Sequence, residues 1–216
     1  MKLTHPLAIA LAAGTLATAT TFFMNAGAQD KPQIVISDDF QTAIFAGGCF
    51  WCVESDFDKV DGVVETISGY TGGETDNPTY KNHTRQGHLE AVKVVYNPEK
   101  VSYGELVKYH LRHIDPTDAG GQFCDRGNSY TTAFFVDSAE ERAVVEAEFA
   151  AVEDSGVLPA PIVTKIRDEA PFYDAEGYHQ DYYLKNPTRY KFYRNGCRRD
   201  QRVKEVWSKE SEAGQS

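Results

Sequence analysis

The chain has 216 residues, 41% hydrophobic and 25% charged, which excludes wholesale disorder and suits one domain of ordinary size. A formal net charge of −10, from 22 Lys+Arg against 32 Asp+Glu, argues against a protein built to grip nucleic-acid phosphates. Four cysteines, Cys49, Cys52, Cys124 and Cys197, are too few to staple a miniprotein, and a chain of this length builds its core from side chains alone.

Lys2 opens a positive start, an Ala-rich apolar run follows from Leu7 to about Phe23, and Ala26-Gly27-Ala28 closes the stretch. This is the layout of a secretory signal peptide over residues 1–28, cleaved at A-x-A. The competing reading is an uncleaved anchor, since a spanning helix needs about 20 residues. Both imply an exported, periplasmic protein in a compartment where disulfides persist. Residues 29–40 are polar and without period, a flexible arm, and a single domain is expected over 41–216. In chain order the patterns predict a strand at 42–46, stopped by Gly47-Gly48, and a helix over 50–60 whose Glu54, Asp56 and Asp58 read as a solvated face. A strand at 63–70 precedes the turn Thr71-Gly72-Gly73-Glu74, and another covers 88–96 up to Asn97-Pro98. Ser102 with Glu105, and Ser138 with Glu141, make two capping boxes that open helices to about His113 and over 139–154. Strands are expected at 130–137 and 161–168. The tail from Pro171 reads as extended and loop-rich, with at most a short helix near 175–184. The fold class is α+β, a two-layer α/β sandwich with helices on one sheet face.

Gly47-Gly48-Cys49-Phe50-Trp51-Cys52 carries the chemistry. A thiol at the first turn of a helix faces unpaired N–H groups and the positive end of the helix dipole, which favour thiolate. Paired glycines leave room for a substrate above the sulfur. Cys52, one turn on, is placed to form a disulfide with Cys49, and the bland alternative is a structural disulfide or two buried thiols. Zinc would need further ligands in C-x-x-C or H-x-x-H spacing, and the six histidines supply none, so no metal is expected.

The run Gly48-Cys49-Phe50-Trp51-Cys52-Val53-Glu54 resembles the signature of the peptide methionine sulfoxide reductase A family. Gly69-Tyr70-Thr71-Gly72-Gly73, Asn77-Pro78-Thr79-Tyr80, Gly87-His88-Leu89-Glu90, Asp125-Arg126-Gly127 with Tyr130, Pro171-Phe172-Tyr173 with His179-Gln180, and Lys185-Asn186-Pro187 follow in the family's order. The resemblance implies a ferredoxin-like plait core and reduction of methionine S-sulfoxide, free or in proteins, in repair and oxidative-stress defence. It implies that Cys49 attacks the sulfoxide sulfur and becomes a sulfenic acid, and that Glu90 is the acid that protonates the oxygen. Phe50 and Trp51 would hold the S-methyl group, and Tyr80, Tyr130 and Asp125 the polar end. Read without the family, Phe50 and Trp51 suit core packing and Glu90 a surface strand. No bound cofactor is implied. The partners implied are proteins or peptides carrying methionine sulfoxide and an external dithiol reductant such as thioredoxin, with the chain a monomer.

Two positions depart from the family's pattern: Cys124 stands where Asn is common, and Thr131 where Arg is common. The resolving cysteine stays open between Cys52, close on the same helix, and Cys197 in the tail, with Cys124 the least suited. The rival enzyme class is a general thiol-disulfide oxidoreductase using Cys49 and Cys52.

Overall fold

The computed structural model describes residues 39–213, with side chains to 210; the expected signal peptide and nearly all of the expected arm lie outside the described residues. Its elements are β1 (Gln41–Gly47), α1 (Phe50–Phe57), β2 (Val63–Thr71), β3 (Leu89–Tyr96), α2 (Tyr103–Leu111), β4 (Gly121–Gln122), β5 (Asp125–Arg126) and β6 (Thr132–Val136). Then come α3 (Ala139–Ser155), β7 (Lys165–Asp168), β8 (Phe172–Asp174), α4 (Tyr182–Lys185), α5 (Pro187–Gly196), α6 (Arg199–Val206) and α7 (Ser208–Ala213).

Six strands form one mixed sheet in the order β7-β6-β1-β3-β2-β8, with β7 parallel to β6 and the other pairs antiparallel. The fold is mixed α/β. Strand alternation sets its two faces. Ala43 and Phe45 of β1, Val92, Val94 and Tyr96 of β3 and Phe134 and Val136 of β6 bury themselves with α1, α2 and α3. Ile44, Ala46, Leu89, Ala91, Ala133 and Phe135 form a smaller apolar cluster on the other face. Glu90 falls in the first set by parity, so the sheet turns its carboxyl toward the helices.

The capping box of α2 forms as expected, with Ser102 accepting from the Glu105 N–H and Glu105 from the Ser102 N–H. At α3 only half of it forms: Ser138 accepts from the Glu141 N–H, but the Glu141 carboxylate takes the Asp137 N–H instead. Among the described residues no helix is long and apolar enough to cross a membrane.

Two expectations fail together. The loop-rich tail is instead largely helical, α4 to α7. Pro187 starts α5, where a missing N–H costs nothing. The acidic face of α1 is not solvated, because those helices cover it: Glu54 and Asp56 are buried. Glu54 accepts the Asp181 N–H at 3.1 Å, and Asp58 accepts hydroxyls from Thr66 at 2.6 Å and Tyr183 at 2.7 Å. Asp56 meets Arg194 of α5 at 2.9 Å and Arg199 of α6 at 3.7 Å. The charge of each side chain is met by a partner more than a hundred residues away, which a local pattern does not carry.

Removing one member of a buried ion pair leaves the others uncompensated, at a cost of about 3 kcal/mol or more. Asp56→Asn is therefore expected to lower the unfolding free energy by about 3 kcal/mol in urea. A loss within the error of the measurement would show that the cluster does not hold the C-terminal helices.

Candidate active site

Cys49 sits at the junction of β1 and α1, as the N-cap of α1. The two glycines before it are required by close contacts. A Cβ on Gly47 would stand 2.7 Å from the His110 ring, and one on Gly48, whose φ is +83°, 2.6 Å from Gln122 Cβ. The carbonyl of Cys49 accepts from the Cys52 N–H at 3.0 Å, which brings the two side chains onto one turn. Both are buried free thiols.

The expectation of a ready thiolate does not hold for the resting site. The Cys49 side chain makes no capping bond to its own helix. The first N–H of α1, that of Phe50, is instead donated to Glu90 Oε2 at 3.0 Å. With that donor spent, burial dominates and pushes the Cys49 thiol well up, and the hydrogen bond with Cys52 adds to the rise. Cys52 is drawn the other way, first by the hydrogen bond from Cys49, then by the Arg199 and Arg194 guanidiniums, with burial opposing them. Of the two thiols, Cys52 is the more acidic.

Glu90 is the second centre. It is 2% exposed, and burial pushes its carboxyl up to about 8, against the pull of the Phe50 N–H. It therefore keeps a proton at neutral pH. The buried, neutral His83 stands 3.8 Å away, its own proton affinity lowered by burial and its Nδ1 bonded to the Tyr80 carbonyl at 3.0 Å.

The other expected residues gather around these two. Phe50 is 1% exposed and packs against Tyr70 and His179, with ring centroids 5.8 and 4.9 Å apart. Trp51 is half-buried, stacks on Tyr182 at 3.7 Å and donates its indole N–H to His179 Nδ1 at 3.0 Å. That bond makes Nδ1 the acceptor and leaves the proton of the neutral ring on Nε2. Tyr80 is 43% exposed at the rim, and its backbone N–H is held by Glu176 at 3.0 Å. Tyr130 hydrogen-bonds Glu90, and burial raises its hydroxyl. Asp125, half-buried, accepts from the Tyr193 hydroxyl, and burial raises its carboxyl. Tyr193, His83, Tyr70 and Glu176 carried no mark in the sequence strong enough to select them. Tyr70 lay inside a matched run, but only the structure shows Glu176 holding its hydroxyl at 2.9 Å and the Tyr80 N–H together.

Cys197, one of the two expected resolvers, is not beside a free thiol but disulfide-bonded to Cys124. This accounts for the departure at Cys124. The two sulfurs and the Asp125 carboxylate lie within 4.8 Å of one another, a spacing that could hold a cation. Sulfurs bonded to each other are not thiolate ligands, so the cluster as it stands is no metal centre.

The model of the family described as peptide methionine sulfoxide reductase matches residues 41–211. Peptide methionine sulfoxide reductase MsrA 2 of Rhizobium meliloti is 52% identical over 176 residues, covering 82% of this chain and 88% of the relative. The MsrA of Bacillus subtilis is 45% identical over 174 residues, 80% of this chain and 98% of that protein. Among solved structures, methionine sulfoxide reductase A of Corynebacterium diphtheriae aligns with a TM-score of 0.62 at 33% identity, over 70% of this chain and 77% of that one. Mxr1 from Saccharomyces cerevisiae in reduced form gives 0.63 at 31%, over 69% and 87%. A buried thiol at a helix start, a proton-bearing buried acid and a surround of aromatic rings are thus set in a frame shared with these proteins, and the chain belongs to the peptide methionine sulfoxide reductase family.

Proposed function

We propose that this chain, which as a member of the family reduces methionine sulfoxide, acts on the S epimer through Cys49, Glu90 and Cys52. The observation that carries the reading is Glu90: a buried carboxyl with its proton held to about pH 8, hydrogen-bonded to the residue that follows Cys49. Cys49 passes its proton to Cys52 and, as thiolate, attacks the sulfoxide sulfur to form a sulfur–sulfur bond, while Glu90 gives a proton to the oxygen. The oxygen then passes as hydroxide to the Cys49 sulfur while the substrate's S–O bond and the new S–S bond break, so methionine leaves and Cys49 becomes a sulfenic acid. Phe50 and Trp51 offer aromatic faces to the S-methyl group, and Tyr80, Tyr130 and Asp125 orient the polar end.

Cys52 then attacks the sulfenic sulfur, water departs, and a Cys49–Cys52 disulfide remains for an external dithiol such as thioredoxin to reduce. Two features support Cys52 over Cys197: its hydrogen bond with Cys49, and the existing bond of Cys197 to Cys124. A general thiol-disulfide oxidoreductase is not favoured, because thiol-disulfide exchange has no use for the protonated Glu90 carboxyl held against the first N–H of α1.

The strand order β6-β1-β3-β2, with α1 between β1 and β2 and α2 between β3 and β6, supports a ferredoxin-like plait as the core. Export is supported by the apolar run before Ala28 and by the surface disulfide, which an oxidising compartment preserves. If the reading is right, the intact mass of the protein recovered from its native compartment corresponds to a chain starting at Gln29; retention of Met1 removes the cleavage proposal.

Cys49→Ser is expected to abolish reduction of the S-sulfoxide. Glu90→Gln is expected to slow a single turnover about 100-fold. In the wild type the acid form is lost as pH rises through about 8, so the single-turnover rate falls there, and Glu90→Gln lacks that fall. An unchanged rate in Glu90→Gln rules out the acid. Cys52→Ser should release one equivalent of methionine and then stall with thioredoxin as donor; sustained turnover would assign the resolving step elsewhere.

A further inference from the structure

Tyr193 lies on α5, in the part of the chain expected to be a loop, and no step above uses it. Its hydroxyl donates to Asp125 Oδ2, its ring packs against the cluster that holds Cys52, and it draws the Cys49 thiol down against the rise that burial causes. Its ring meets Trp51 edge-on, centroids 5.8 Å apart. One helical turn later the Cys197 N–H bonds to the Tyr193 carbonyl at 2.9 Å, and Cys197 is joined to Cys124, the residue before Asp125. The hydrogen bond and the disulfide therefore close a small ring, Cys124-Asp125···Tyr193-turn-Cys197, across the gap between α5 and β5. Cys124 is exposed, so this link lies at the surface, while Cys49 and Cys52 are buried beneath α5.

We propose that Tyr193 is a further catalytic residue, its hydroxyl bonded to the Cys49 sulfur during attack, and that the Cys124–Cys197 disulfide is the strap that keeps it there. A phenol has one proton and here faces two acceptors. While Cys49 is a thiol, its S–H points to Cys52 and the phenol proton goes to Asp125. Once Cys49 has passed that proton to Cys52, the phenol proton turns to the Cys49 sulfur and makes a charge-assisted bond, stronger than a neutral one. Burial alone would leave that anion with little support, and Tyr193 is the group that lowers its cost. The bond needs the hydroxyl held in place. Asp125 holds it from one side, and the strap fixes the α5 backbone from the other. The disulfide is thus a positioning device outside the Cys49–Cys52 cycle.

The proposal rests on Cys49 being the nucleophile, which activity in Cys49→Ser would disprove; a direct measurement on the thiol tests Tyr193 separately. Around the Cys49 sulfur stand Cys52 from α1, Glu90 from β3, Tyr193 from α5 and the Tyr80 and Tyr130 hydroxyls, with Asp125 behind Tyr193. The readout is the pH profile of Cys49 alkylation by iodoacetamide, located by tandem mass spectrometry, with the Cys124–Cys197 bond verified intact in the same digest. Tyr193→Phe keeps the ring and removes the hydroxyl. It is expected to shift the profile upward by about one to two pH units and to slow single-turnover reduction about tenfold to a hundredfold. The double variant Cys124→Ser, Cys197→Ser is expected to shift it the same way by less. Adding Tyr193→Phe to the double variant should give no more than Tyr193→Phe alone. An unshifted profile in Tyr193→Phe overturns the role of the residue. A shift there with none in the unstrapped variant overturns the role of the disulfide.

Discussion

The site depends on a buried charge cluster behind it. Asp56, near the end of α1, meets Arg194 of α5 at 2.9 Å and Arg199 of α6 at 3.7 Å, and all three side chains are largely shielded from water. Arg199 donates further to the carbonyls of Gly47 and His113, each at 2.9 Å, so it grips the strand end that delivers Cys49. A buried ion cluster of this kind contributes little net stability over an apolar packing, because desolvation offsets the attraction. What it does is fix a position. The charge on α1 helps select this placement of α5, and α5 brings Tyr193 and the Tyr190 ring that packs with Cys52.

That dependence explains which parts of the fold were legible in the sequence. β1, β3 and β6 announce themselves as short apolar runs bounded by turn residues, and α2 by its capping box, because those signals are local. Glu90 read alone as a surface strand residue, and only the sheet, by its parity with Val92 and Val94, turns it to the helix side. α5 and α6 carry no such signal, because they are rich in Arg, Lys and Asp and read as solvent-exposed. Their order comes from distant partners: Arg194 and Arg199 need Asp56, and Trp207 donates its indole N–H to the Ile114 carbonyl at 3.2 Å. Glu54, Asp56 and Asp58 were misread for the same reason seen from the other end. A charge on a helix face is exposed only if no opposite charge is brought to it.

Within the site, the motif residues were legible by kind and the supports were not. Cys49, Glu90, Phe50, Trp51, Tyr80, Tyr130 and Asp125 were named from their runs, and the structure gathers them around Cys49 and Glu90. Cys124 looked like a departure at an Asn position, and Cys197 like a recycling thiol; joined, they account for each other. Two cysteines separated by 73 residues give no sign in one sequence that they pair.

The raised thiol and the raised carboxyl fit together as proton accounting. Converting a sulfoxide oxygen to water takes two protons. A helix-start argument would have Cys49 already ionised, with one of those protons lost to solvent. Burial instead keeps one proton on Cys49 and one on Glu90, and leaves Cys52, beside Arg194 and Arg199, as the more acidic thiol. In the proposed cycle the Glu90 proton and the Cys49 proton, relayed through Cys52, both end on the departing oxygen as Cys52 closes the disulfide, so charge and atoms balance. A site that shuts out water to protect a sulfenic acid must carry its own protons. The desolvation that excludes water is also what retains them.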